Sequence, residues 1–487
     1  MASSETAIER LQMAVVDGRT ENVRYRQGQL QSLSAALRDD VEKIASALAD
    51  DSKGSPKEVE VEYYLAMNTV RHFYDTLNFE MEYTREYQVV HGKDNAMRRE
   101  GVGLVLIRPT NHTRFYSIIA PLAAAISAGN CVALELQDTV FPIDAALRQI
   151  LPVALDFNTF CISEITKDSY IPETAVLVDQ ATETSPESLR NQILPSSTMR
   201  TIAIVDRGAD VQLAAKSVLN ARFSFGGTSP YAPDLVLVNE FVKQEFIEAC
   251  SAHATPAYTK VSSLKANRDH SRKTLQALND AKDKNQVSIF GSDGFKLIDV
   301  HTRSSPLTKL KVKGRYLIIA SVSGLVDAIF TEQFEPLLAG YFFAGPAAAK
   351  YMAEQLHCHI SCINRIPVQL LVGPAAPTAY DANLCYRYTK EMFSVSRPLF
   401  IEAPTEAFAN AEELLADSNK TSASSLRRLA VKPLKPIGQP GNSHLSYFDT
   451  GFVIMASITF FGFLPVLGYS SWIIARKGHD IFLRWKY

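Results

Sequence analysis

The chain has 487 residues, room for two or three domains of ~150 residues with sizeable cores; 46% of it is hydrophobic, which excludes intrinsic disorder. With 50 Lys+Arg against 52 Asp+Glu the net charge is -2; neither the whole-molecule field nor any local basic stripe attracts nucleic acid or an acidic polymer. Six irregularly spaced cysteines exclude the dense disulfide framework of a small secreted scaffold and favour a reducing compartment.

Glu5, Glu9 and Arg10 interrupt the start of the chain, so no signal peptide is expected there. Leu30, Leu33, Leu37, Val41, Ile44 and Leu48 then recur at three- and four-residue spacing, which predicts one amphipathic helix with Arg38, Asp39, Asp40, Glu42 and Lys43 outside the stripe. A second helix is expected from Glu58 to Leu77. The period changes at Val102 to Ile107, a short apolar run between Gly101 and Arg108-Pro109 that reads as a buried strand. Ile118 to Ser127 is a helix of small apolar residues ending at Gly129-Asn130, and Cys131 to Leu134 is the next strand. Strand, helix and strand at this spacing form a parallel crossover, and a doubly wound sheet follows. Further strands are expected at Ala175 to Val178, Thr201 to Val205, Leu235 to Val238 and Tyr316 to Ile319. The fold class is α/β.

His357, Cys358, His359, Ser361 and Cys362 are potential metal ligands in one short run. Strand alternation would place His357, His359 and Ser361 on one face and Cys358 and Cys362 on the other. The run therefore reads as buried cysteines beside ordinary histidines, and no metal site is assigned.

Leu426 to Leu445 carries Pro433, Pro436, Gly438, Pro440 and Gly441, a composition read as a linker without helix or central strand. Its Arg427, Arg428, Lys432 and Lys435 either meet anionic headgroups or are simply solvated. From Gly451 to Ala475 no residue is charged, more than the ~20 apolar residues a bilayer-crossing helix needs. Asp449 bounds this run on one side and Arg476 and Lys477 on the other, with Trp472 near the second interface. A single-pass C-terminal anchor over 450–475 is expected, with the bulk of the chain cytosolic on the endoplasmic reticulum or a similar membrane.

The stretch Arg99 to Leu134 resembles the first crossover of aldehyde dehydrogenases, where a strand leads to a Trp-Asn-Tyr-Pro turn, a small-residue helix and an Ala-Gly-Asn stop. Asp210 to Val238 is similar to that family's nucleophile segment, with its Gly-Gln-Thr-Cys. Ser305 to Ile329 is similar to the segment holding Glu-Glu-Ile-Phe-Gly-Pro, and Pro336 to Tyr341 to the Pro-Leu-Ala-Leu-Tyr that follows. The N-terminal helices and the expected anchor narrow the resemblance to the fatty-aldehyde, class 3-like branch.

The resemblance implies two doubly wound parallel-sheet domains. The dinucleotide-binding type covers 1–82 and 102–195 and the catalytic type 196–365. An oligomerisation arm of 83–101 and 366–400 forms a homodimer, 401–449 is a linker, and 476–487 is a short tail. It also implies positions for the chemistry, which fold alone does not guarantee. The family's nucleophilic Cys falls on Ser229, its general-base Glu on Ser196, and its oxyanion Asn on Asn111. A serine hydroxyl needs a positioned base where a thiol does not, and neither His253 nor His270 has a reason to reach Ser229. At the cofactor, the ribose Lys falls on Glu135, the ribose-binding Glu on Lys311, and only Gly314 of the Phe-Gly-Pro motif is kept. The Gly-Ser-Thr that contacts the dinucleotide is replaced around Gln180-Ala181-Thr182-Glu183. Lys311, Lys313 and Arg315 form either an extra-phosphate site or an exposed basic turn.

These losses point to absent or weak NAD(P) binding. The expectation is a membrane-anchored, catalytically impaired pseudoenzyme of this oxidoreductase family that binds a hydrophobic ligand or partner. The alternative is NAD(P)-dependent oxidation of a hydrophobic aldehyde in lipid or specialised metabolite biosynthesis.

Overall fold

Short runs of buried apolar residues become the strands of two sheets in the computed structural model of the chain. It describes all residues except 1–3, 53–54, 137–140, 164–173, 181–191, 197, 259–271, 293, 404, 417–421, 439–446 and 486–487. Two compact units result, Met1–Glu402 and Ala403–Tyr487.

In the first unit, Arg99–Gly101 (β1) precedes a five-stranded parallel sheet. Its strands are Leu104–Arg108 (β2), Cys131–Leu134 (β3), Phe160–Ile162 (β4), Val176–Asp179 (β5) and Gln192–Ile193 (β6), in the order β4-β3-β2-β5-β6. The seven-stranded sheet comprises Arg200–Val205 (β7), Leu235–Asn239 (β8), Val287–Ser292 (β9), Phe295–Val300 (β10), Tyr316–Val322 (β11), Leu337–Phe343 (β12) and Cys358–Ile363 (β13). Its order is β13-β12-β7-β8-β11-β10-β9, parallel except for the antiparallel β9–β10 edge pair. Ser394–Ser396 (β14) returns to pair antiparallel with β1, Glu100 facing Val395, so the segments assigned to the arm are joined within the chain.

Both large sheets are covered on two faces, as parallel sheets require. Along β2, Val105 and Ile107 enter one core while Leu104 and Leu106 enter another. Along β7, Ala203 and Val205 face one core and Ile202 and Ile204 the opposite one.

Where expectation and structure differ, local physics explains it. The apolar stripe from Leu30 to Leu48 is divided between the helices Val23–Asp39 and Val41–Ser52. Asp39 and Asp40 put two acids at a helix C-terminus, which the helix dipole disfavours, and Asp40 closes that helix by donating its N–H to the Ala36 carbonyl. The second helix begins at Pro56 under a capping box of Ser55 and Glu58. The crossover helix is longer than expected, Arg114–Ser127, because Arg114 is neutralised in the interior by Asp144.

The second unit contains the helices Glu406–Leu415, Ala423–Ala430 and Tyr447–Trp485. The expected linker is thus helical at Leu426 to Ala430, where Ser422 caps the helix by accepting the Ser425 N–H; Pro433 and Pro436 keep the following residues irregular. The bilayer-crossing anchor expected at 450–475 is not supported: among the described residues no helix is long and apolar enough to cross a membrane. The helix there does not stop at the end of the uncharged run but continues through Arg476, Lys477 and Asp480 to Trp485. The side chains of 463–468, in the middle of that run, lie outside the described residues.

Candidate functional site

The loop after β2 carries Asn111 and His112 into the helix Arg114–Ser127. Arg114 forms a bidentate ion pair with Asp144, at 2.6 and 2.7 Å, and donates from Nη1 to Asn111 Oδ1 at 3.2 Å. The amide carbonyl of exposed Asn111 is thereby committed to Arg114, which orients the side chain. Glu62 closes the helix start by accepting the Tyr116 N–H at 3.2 Å. Burial raises its carboxyl to about 7 against the pull of the Tyr116 and Phe115 amides.

His112 joins this loop to the segment that follows the helix Val211–Phe223. Its Nδ1 is 2.9 Å from Thr228 Oγ1 and its Nε2 is 2.9 Å from the Leu371 carbonyl oxygen. A carbonyl only accepts, so Nε2 carries a proton. Burial lowers the ring to about 4, and the Arg387 cation acts in the same direction against the Leu371 hydrogen bond. The ring is neutral near pH 7, so Nδ1 and the Phe225 carbonyl compete for the single Thr228 hydroxyl proton. That hydroxyl also lies 2.8 Å from the Phe225 carbonyl.

This bond brings Asn111 and Ser229 into one neighbourhood, since each is the chain neighbour of a bonded residue. Ser229 itself is buried, 3% exposed, and its Oγ accepts the Tyr231 N–H at 3.3 Å. Ser196 is not joined to it by any described contact; its hydroxyl is 3.0 Å from that of Thr378.

Gly314 is brought to the segment Gly226 to Ser229, donating its N–H to the Gly227 carbonyl at 2.9 Å. Fully buried Arg222 ties the two together, donating to the carbonyls of Gly227, Val312 and Gly314. The basic turn proves not to be exposed. Lys311 points inward, its Nζ 3.0 Å from Asp234 Oδ2 and 2.6 Å from the Pro230 carbonyl, one residue from Ser229. Burial lowers its ammonium below the usual lysine range, with Asp234 opposing. Asp234 further accepts the backbone N–H groups of Thr201 and Val312.

Glu135 is also engaged internally. Arg108 donates to Glu135 Oε2 at 2.7 Å and to Asp179 Oδ2 at 2.9 Å. Gln180 is a buried bridge, its Oε1 accepting the Thr110 N–H and its Nε2 donating to the Ser117 carbonyl and the Tyr388 hydroxyl. Ala181, Thr182 and Glu183 lie outside the described residues, as does His270.

Burial pushes the thiols of Cys131 and Cys358 up to about 12 and that of Cys161 to about 11, so none is an activated thiolate. Among the described residues no three His, Cys, Asp or Glu side chains are grouped to hold a metal ion. Sequence reasoning overlooked His112, Arg222 and Asp234. The signal for Asp234 was an acid between Pro233 and the apolar run of β8, a place where a carboxylate needs several donors.

No family model matches the chain. Aldehyde dehydrogenase family 3 member B1 of Mus musculus is 26% identical over 383 residues, 71% of this chain and 79% of the relative. Member B1 of Bos taurus is 28% identical over 363 residues, 69% and 77% of the two chains. The dimeric NADP-preferring aldehyde dehydrogenase of Rattus norvegicus is 23% identical over 378 residues, 71% and 81%. The substrate-bound structure of Staphylococcus aureus AldH superposes with TM-score 0.67 at 18% identity, over 83% of this chain and 95% of that one. The NADP complex of glyceraldehyde-3-phosphate dehydrogenase GapN from Methanocaldococcus jannaschii gives TM-score 0.64 at 15% identity, over 81% and 93%. The chain thus has the aldehyde dehydrogenase fold and is similar in sequence to family 3 aldehyde dehydrogenases.

Proposed function

We propose that the chain is an aldehyde dehydrogenase scaffold that has lost dinucleotide-dependent oxidation and works by binding a hydrophobic ligand or a partner. The observation that carries this reading is the Lys311–Asp234 ion pair. A carboxylate that would accept ribose hydroxyls is replaced by an ammonium whose hydrogen bonds are spent inside the protein. The Glu135–Arg108–Asp179 cluster supports it, because the side chain at the second ribose position is likewise held by an internal partner and carries the opposite charge. Hydroxyls at Ser229 and Ser196 supply neither thiolate nor carboxylate. The residues at these positions do not fit a nicotinamide dinucleotide.

In this reading residues 1–82 with 102–195 and residues 196–365 are the former cofactor and catalytic domains. Segments 83–101 and 366–400 serve a homodimer, as the name of the rat relative suggests. The uncharged run from Gly451 to Ala475 is the sequence's support for lipid association; release of the full chain by alkaline carbonate extraction would remove that part of the proposal. Retained NAD(P)-dependent oxidation, the second reading, draws on structural neighbours solved with NADP. Calorimetry of NAD and NADP against the full chain separates the two: no heat of binding is expected at micromolar cofactor, and a micromolar Kd would overturn the proposal.

A further inference from the structure

We propose that residues 426–437 lie along an anionic membrane surface, with Leu429, Val431, Leu434 and Ile437 entering the headgroup boundary and Arg427, Arg428, Lys432 and Lys435 meeting lipid phosphates. The inference rests on the lipid association read above and names its chemistry; it needs no bilayer-crossing helix.

Between Asp417 and Asp449 the sequence holds Lys420, Arg427, Arg428, Lys432 and Lys435 and no aspartate or glutamate, in a chain whose net charge is -2. Arg427, Arg428, Lys432 and Lys435 are exposed, and among the described residues no carboxylate pairs with any of them. Cations clustered without an acid among them are drawn to a surface of negative charge.

The apolar side chains select among such surfaces. In the helix Ala423–Ala430 each residue turns by about 100°, so Leu426, Leu429 and Ala430 share one side and Ser424, Arg427 and Arg428 the other. Beyond the helix the sequence repeats with a period of three: Val431-Lys432-Pro433, then Leu434-Lys435-Pro436, then Ile437. Each proline fixes its own φ near about -65° and pushes the preceding lysine into extended backbone. The three-residue turn of a polyproline helix then sets Val431, Leu434 and Ile437 on one edge, Lys432 and Lys435 on a second and the prolines on the third. The apolar edge is bare, with Val431, Leu434 and Ile437 71%, 95% and 82% exposed.

Helix and repeat thus each set an apolar row beside a basic one. A polyanion would engage the cations and leave the aliphatic row in water. A bilayer accepts an apolar row about 5–10 Å into its headgroup boundary and keeps phosphates beside the basic one. The uncharged run from Gly451 to Ala475 begins shortly after, in the same compact unit.

The test is flotation of the full chain on a density gradient with vesicles of phosphatidylcholine alone or with about 30% phosphatidylserine, so that aggregates, which sink, are not counted as bound. Wild type is expected to float about tenfold better with the anionic vesicles and to lose that margin as salt rises from about 0.1 to about 0.5 M. At about fivefold per charge, Lys432→Gln combined with Lys435→Gln should weaken partition about 25-fold, and Leu434→Ser about tenfold. Leu434→Lys combined with Lys435→Leu keeps the composition but mixes the rows, and should also bind several-fold more weakly. These positions are exposed, so melting curves of the variants should match that of the wild type. Equal flotation with both vesicles would overturn this inference and leave lipid association standing through the uncharged run; no flotation with either would overturn both. Undiminished binding by the double-glutamine or the exchanged variant, or binding of the wild type to a purified polyproline-recognising SH3 domain in place of vesicles, would overturn the anionic surface.

Discussion

The carbonyl oxygen of Gly314 stands 2.3 Å from where a methyl group on Gly227 would sit. Gly227 also has φ +70, so two independent constraints forbid a side chain there. Gly227→Ala is expected to cost at least about 3 kcal/mol, measured by urea denaturation. The preceding Gly226 has φ +67 but nothing within 4 Å of its hypothetical methyl. Gly226→Ala should cost only about 1 kcal/mol, and equal losses in the two variants would contradict the packing described.

Restoring a thiol should not restore the oxidation. In Ser229→Cys the new sulfur would keep a buried position, with Lys311 bonded to the next carbonyl and the Ser196 hydroxyl held by Thr378 rather than near it. No NADH or NADPH should form from octanal in a spectrophotometric assay. Measurable turnover would show that the rest of the machinery is intact.

Acid sensitivity should contain a contribution from His112, which faces the Arg387 cation, the Leu371 carbonyl, the Thr228 hydroxyl and the Phe225 ring. Its pKa falls from 6.5 in the unfolded chain to about 4 when folded. The unfolded state therefore takes up the proton first, and the stability is present above pH 6.5 and lost as pH drops toward 4. For a half-buried ring the loss is about 2 kcal/mol. The stability curve of His112→Gln should lack that slope, as melting temperatures from pH 4 to 8 would reveal.

Glu62 acts in the opposite sense. Its carboxyl goes from 4.5 to about 7 on burial, so between these values the folded state holds a proton that the unfolded state has released. Stability from this group falls as pH rises through the window, by about 3 kcal/mol in full. Glu62→Gln should gain on the wild type above pH 7 and lose the advantage below pH 5. An advantage independent of pH would mean that the side chain is ionised throughout.

The strands were legible because burial on both faces writes uninterrupted apolar runs. Cys131–Leu134 has the bounds read from sequence, and β2 starts two residues later than expected only because Val102 donates to the Phe393 carbonyl instead. The site was legible where neighbours in sequence sufficed, as with Gly226 to Ser229. It was not legible where function depends on residues far apart. Lys311 turns inward for Asp234, 77 positions earlier, and Thr228 meets a histidine at a separation of 116. Charge at position 311 was visible in the sequence; the acid that draws it inside was not.

That inward turn constrains what position 311 can hold. Exchange of Lys311 for glutamate would set a second carboxylate against Asp234, with Arg222 the nearby cation, at 3.6 Å, left to separate them. Like charges at such range repel strongly in a dry interior. An acid at position 311 is therefore tolerated only if position 234 changes with it, so the two side chains are bound to vary as a pair.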